Sequence, residues 1–175
     1  MKTYEFTLKF SLPRTEDDTN KIVERLGLVG CNDALIGVGI AGRIAFNFSR
    51  DAESAFGAVS SAIVSIKRAI PRARLMEAAP DLAGLTEVAD VIGCSRQNIR
   101  KIMLNSGSEF PMPVHEGKSV LWHLYSVLIW LKESRSYEIE EALLEVASVN
   151  MQINLARDAK AIDLPRQKRI QSLVS

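Results

Sequence analysis

The sequence predicts an α+β fold built from two units that meet near residue 80, and three observations carry that prediction. Alternation of apolar and polar residues marks short strands in the N-terminal third, and a 3.6-residue apolar repeat marks a long helix that stops at Pro71. Pro80-Asp81 and Gly84 then punctuate the chain before a run of short helical segments begins at Leu85.

Residues 4–10, YEFTLKF, put Tyr4, Phe6, Leu8 and Phe10 on one face and Glu5, Thr7 and Lys9 on the other, the period of a half-buried strand closed by Pro13. Glu16-Asp17-Asp18 opens a helix: the acids suit the positive end of its dipole, Ile22, Val23 and Leu26 are spaced to bury one side, and Gly27 is the expected stop. Ala34–Ile40 and Arg43–Phe48 read as an antiparallel pair about Ala41-Gly42, where glycine supplies the positive φ of a tight turn. From Asp51, Ala55, Phe56, Val59, Ala62, Ile63, Ile66 and Ile70 recur at helical spacing, and a strand at Ala73–Ala78 follows. The order β-α-β-β-α-β within residues 1–79 predicts the split βαβ, ferredoxin-like arrangement, two helices over one face of a four-stranded antiparallel sheet. Residues 79–84 are the expected linker.

Residues 85–104, LTEVADVIGCSRQNIRKIML, predict two short helices about a sharp turn. Thr86 can cap the first, Gly93 can take the left-handed conformation that stops it, and Ser95 can cap the second. Leu85, Val88, Ala89 and Ile92 face inward from the first helix, as do Ile99, Ile102 and Met103 from the second. That leaves Arg96, Gln97, Asn98, Arg100 and Lys101 outward with no acid among them. Arginine can donate bidentately to guanine, Asn and Gln can pair with adenine, and the remaining cations can hold phosphates, so this face suits a major-groove reader. Beyond Lys132, Ser134-Arg135-Ser136 offers a cap for a helix over 136–163 with Ile139, Leu143, Val146, Asn150 and Ile153 on one stripe. Pro165 is expected to end it, leaving 164–175 as a basic tail with Arg166-Gln167-Lys168-Arg169.

The segment FPMPVHEGKSVLWHLYSVLIWL, residues 110–131, resembles the downstream half of the winged helix-turn-helix of the MerR and phage-excisionase (AlpA-like) superfamily. The likeness rests on Phe110, Pro111, Pro113, Gly117, Trp122, Val127, Trp130 and Leu131, together with Leu85, Ala89, Gly93 and Ser95 upstream. Read from the residues alone, the prolines fix an extended lead into a hairpin with Glu116-Gly117-Lys118 at its tip, and the two tryptophans are large enough to close a small helical core. The resemblance implies that residues 85–132 bind double-stranded DNA, with the hairpin as a wing. It nominates Lys118 as a phosphate contact, with Ser119 and His115 as lesser ones, and Glu116 opposing them.

The formal net charge of the chain is +1, from 22 Lys+Arg and 21 Asp+Glu, which excludes coating of nucleic acid by bulk charge. Residues 85–132 also net +1: Arg96, Arg100, Lys101, Lys118 and Lys132 stand against Glu87, Asp90, Glu109 and Glu116. One copy should therefore grip DNA weakly, and a homodimer is expected to present two recognition helices. Its surface would be the open sheet face or the stripe of the C-terminal helix.

Cys31 and Cys94 read as reduced packing residues, and neither they nor His115 and His123 form a metal-ligand pattern. The acid pairs Asp17-Asp18 and Glu140-Glu141 sit at expected helix starts, and Gly37-x-Gly39-x-x-Gly42 leads into a strand where a nucleotide fingerprint needs a helix. No enzyme, metal or cofactor is expected, nor a membrane span or signal peptide, which places the chain in the cytoplasm. The expected function is a sequence-specific regulator of transcription, a repressor. The alternatives are an antitoxin that covers a toxin and represses its own operon, and an excisionase-like factor that bends DNA for a recombinase.

Overall fold

In a computed structural model that describes residues 1–13, 18–37 and 39–174, the chain is a mixed α+β protein with a four-stranded antiparallel sheet. The N-terminal unit runs β1 (Lys2–Ser11), α1 (Thr19–Leu28), β2 (Ala34–Gly37), β3 (Arg43–Ala52), α2 (Ala55–Ala69) and β4 (Arg74–Ala79). Next come β5 (Leu82–Ala83), α3 (Leu85–Val91), α4 (Arg96–Ser106), β6 (Trp122–His123), α5 (Leu124–Arg135), α6 (Glu141–Asp158) and α7 (Leu164–Val174).

The sheet order is β2-β3-β1-β4, with Phe6 opposite Phe48 and Leu8 opposite Phe46 on β3. The alternation in β1 is obeyed: Tyr4, Phe6, Leu8 and Phe10 are buried, and Phe6 stacks on Phe48 at 5.1 Å between ring centroids. Ile22 and Leu26 of α1 and Ala58, Val59, Ala62 and Ile66 of α2 cover that face, leaving the other face open. Small residues along α2 let it lie close to the strands.

Local chemistry moves several boundaries. Glu16 and Asp17 lie outside the described residues, and Asp18 caps α1 by accepting from the Asn20 and Lys21 amides. Gly27 does not stop α1, which runs to Leu28, and Gly30, at φ 73°, turns the chain just beyond it. The first hairpin strand ends at Gly37, short of Ile40, whereas the second runs on to Ala52, so α2 begins beyond Asp51 and is capped by Ser54. Val23 and Phe56, expected inside, are 49% and 66% exposed, because each lies one position off the stripe its helix buries.

Residues 79–84 are not a free linker. Leu82–Ala83 pairs with Trp122–His123, and the buried Asp81 accepts hydrogen bonds from His123 Nδ1 and from Asn154, each at 2.7 Å. A buried carboxylate needs such partners, since an unpaired one would cost several kcal/mol, of order 3–5.

The C-terminal helix also departs from expectation. Ser136 adopts φ 52°, ψ 33° and ends α5, so it is a stop where a start was expected, and α6 begins at Glu141. Helix α6 lies between two cores, with Val146 in the one under the sheet and Ala147 in the one formed by α3, α4 and α5. It also closes the β4 edge: Asn154 accepts from the Ala78 amide at 2.9 Å and donates to the Ala78 carbonyl at 2.8 Å, while Arg157 donates to the Met76 carbonyl. At the other end of the helix, Lys2 bridges Glu141 and Glu145, and the Tyr4 hydroxyl donates to Glu145. The predicted basic tail is helical through Val174: Pro165 sits in the first turn, where its missing N–H costs nothing, and Asp163 caps the helix by accepting from the Arg166 amide. The Lys168 side chain and Ser175 lie outside the described residues.

Candidate nucleic-acid interface

Helices α3 and α4 meet over Val88, Ala89 and Ile99, all at most 1% exposed, and the small Ala89 allows their close approach. The connection is sharp because Gly93 sits at φ 68°, the Cys94 amide donates back to the Ala89 carbonyl at 2.9 Å, and the Ser95 hydroxyl accepts from the Asn98 amide at 3.2 Å. Ser95 thus serves first as the cap of α4. The first helix is capped differently from expectation: Gly84 precedes it and Glu87, not Thr86, accepts from the Gly84 amide at 3.0 Å. The spacing of Gly84 and Glu87 carried that signal.

Arg96, Gln97, Asn98, Arg100 and Lys101 are all exposed along α4. Four of these side chains have no partner among the described residues, whereas Asn98 donates to the Tyr137 hydroxyl at 3.3 Å and is held toward the start of the α5–α6 connection. Tyr137 was not legible as a neighbour, because it lies 39 residues away in sequence.

Between α4 and β6 the chain forms a minimal hairpin. His115 and Leu121 make a single bridge, with the Leu121 amide donating to the His115 carbonyl at 2.9 Å and the Val114 amide to the Leu121 carbonyl at 2.8 Å. Glu116, Gly117, Lys118 and Ser119 form its exposed tip. A Cβ on Gly117 would come within 2.7 Å of His115 Nε2, a contact that the exposed imidazole can relieve by rotating away. Phe110 meets Trp122 and Trp130 edge-on at 5.8 and 5.1 Å, and the Trp122 indole donates to the Pro111 carbonyl at 2.9 Å, so the aromatics pin the base of the hairpin to the helical core. Arg135 stacks on Trp130 and donates to the Ser106 hydroxyl at 2.7 Å, tying the far end of α4 to α5.

The fold brings Arg96, Lys118 and Ser119 to one groove of about 790 Å³, walled by the start of α3 and the Phe110–Pro113 segment. Glu87 and Glu116 line the same groove, so its charge is mixed. Gln97, Asn98, Arg100 and Lys101 lie outside it on the outer surface of α4. Exposed apolar side chains flank the site, Met112 at 87% and Leu104 at 64%.

Among the described residues no group of three or more His, Cys, Asp or Glu could hold a metal ion, and no helix is long and apolar enough to cross a membrane. Protein-family models, curated proteins and solved structures give no match to this chain.

Proposed function

We propose that this chain is a sequence-specific double-stranded DNA-binding regulator, acting as a repressor, with α4 as its major-groove helix. Residues 85–132 are read as a winged helix-turn-helix and residues 1–79 as a ferredoxin-like unit that serves dimerisation or partner binding. The observation that carries the reading is the outward face of α4: Arg96, Gln97, Arg100 and Lys101 are exposed and unpartnered among the described residues, and no acid interrupts them. Such a face leaves its donors and positive charges available to a phosphodiester backbone and to base edges.

The single-bridge hairpin supports the same reading, because it sets Lys118 across a groove from Arg96 and gives one cation for the backbone beside one for base edges. Four free cations are few for one DNA-bound copy, which favours a homodimer on two half-sites about one helical turn apart. With Val146 and Ala147 of α6 used inside the chain, the open sheet face, where Leu35 is 77% exposed, is the surface we assign to that contact.

The test is selection of bound fragments from a genomic library at low salt, followed by titration of the selected sequence against Arg96→Ala and Arg100→Ala. Each substitution should cost roughly ten- to hundredfold in affinity. Recovery of no fragment, or variants that bind as tightly as the parent, would sink the proposal.

A further inference from the structure

A second cavity, of about 560 Å³, opens where the exposed face of the sheet meets α6 and the base of the hairpin. Its size lies within the roughly 300–1,000 Å³ of small-molecule sites. Ile40, Val114 and Leu155 line it while remaining 64%, 53% and 52% exposed, so apolar surface is left uncovered on three separate segments that face one space. Its polar side is rigid, because Asp81 is 3% exposed and bonded to both His123 and Asn154.

The ionic groups of the wall sort cleanly. Lys9 is paired with Glu77 at 2.6 Å and Arg157 with Asp158 at 2.8 Å, while Asp81 is held by hydrogen bonds to His123 and Asn154. Arg43 lines the cavity with no side-chain partner among the described residues. A guanidinium without a partner among the described residues, set beside an apolar surface, suits a single bidentate oxyanion on an apolar body, and a carboxylate is the smallest group that matches its two parallel N–H donors.

We propose that this cavity binds a small monocarboxylic acid with an aliphatic or aromatic body, its carboxylate on Arg43 and its body against Ile40, Val114 and Leu155. Since Arg43 belongs to the sheet and Val114 to the hairpin stem, an occupant bridges the two units. The site does not use α4 and is assayed without DNA, although it opens at the edge of the sheet face assigned above to the dimer contact.

The experiment is a titration of the isotope-labelled full chain, followed by NMR, with phenylbutyrate and octanoate as probes and phenylbutylamine as the charge-inverted control. Both carboxylates should shift the amides of Arg43, Val114 and Leu155 at millimolar concentration, and the amine should not. Arg43→Gln, an exposed change that leaves the melting temperature in place, should weaken binding at least about tenfold, the loss expected for one charge-assisted pair. Leu155→Trp should fill the mouth and block it. The inference is overturned if neither carboxylate shifts these amides, if the amine binds as well, or if Arg43→Gln binds undiminished.

Discussion

Salt dependence is the sharpest quantity the proposed interface yields. Arg96, Arg100 and Lys101 on α4 and Lys118 on the hairpin are exposed and carry no ion pair among the described residues, so each is free to replace a counterion on DNA. Four neutralised phosphates give a slope of log Kobs against log salt of about −3.6 for one copy and about −7 for a dimer. Between roughly 50 and 200 mM salt, those slopes amount to losses of about 150-fold and about 20,000-fold. Fluorescence anisotropy on a labelled selected duplex measures them directly. Lys118→Ala should flatten the slope by about 0.9 per copy and weaken all sequences alike, whereas Arg96→Ala should also erode discrimination among sequences. Neither side chain supports the fold, so stability should stay within about 0.5 kcal/mol of the parent. A slope near zero, or one that persists after all four cations are replaced, would refute the assignment of α4 and the hairpin.

Asn154→Ala should destabilise the chain by about 3–5 kcal/mol in urea denaturation followed by tryptophan fluorescence, because it orphans both backbone groups of Ala78 and one oxygen of the buried Asp81; a loss under about 1 kcal/mol would contradict the edge-sealing role. Gly93→Ala, which forces a side chain onto φ 68°, should cost about 1 kcal/mol by the same assay. Arg50 grips Asp33 through two bonds of 2.6 and 2.9 Å and holds its carboxyl below the usual range. A depressed folded value means that this stabilisation is present above the unfolded pKa of about 3.9 and is lost as pH falls through the folded value, so Asp33→Asn should flatten that acid limb. An unchanged acid limb in Asp33→Asn would count against the pair as its source.

What could be read from the sequence is what depends on neighbours in the chain. The alternation of Tyr4, Phe6, Leu8 and Phe10 fixed the buried face of β1, and the polarity of Arg96 to Lys101 fixed the outer face of α4. The cap at Ser95 and the left-handed Gly93 were legible for the same local reason. Illegible features were those decided by distant partners or by ambiguous punctuation. A serine beside a helix can start or stop one, and Ser136 stops α5 by going left-handed. Proline can end a helix or sit in its first turn, and Pro165 does the latter. Helix α6 has apolar residues on two sides because it meets two cores, which blurs the single stripe that periodicity looks for. The second cavity draws Arg43, Asp81, Val114 and Asn154 from four separated segments, and no spacing rule joins them.

The sealing of β4 by α6 also sets a clock on biosynthesis. The strand is complete at Ala79, but the side chains that cover its outer edge, Asn154 and Arg157, are translated long afterwards. At 5–20 residues per second, a ribosome leaves that row of backbone donors and acceptors bare for roughly 4–16 s, longer than a small sheet needs to form. The nascent chain therefore exposes a sticky strand during each round of synthesis. Slow translation beyond residue 80 should raise its dependence on chaperones.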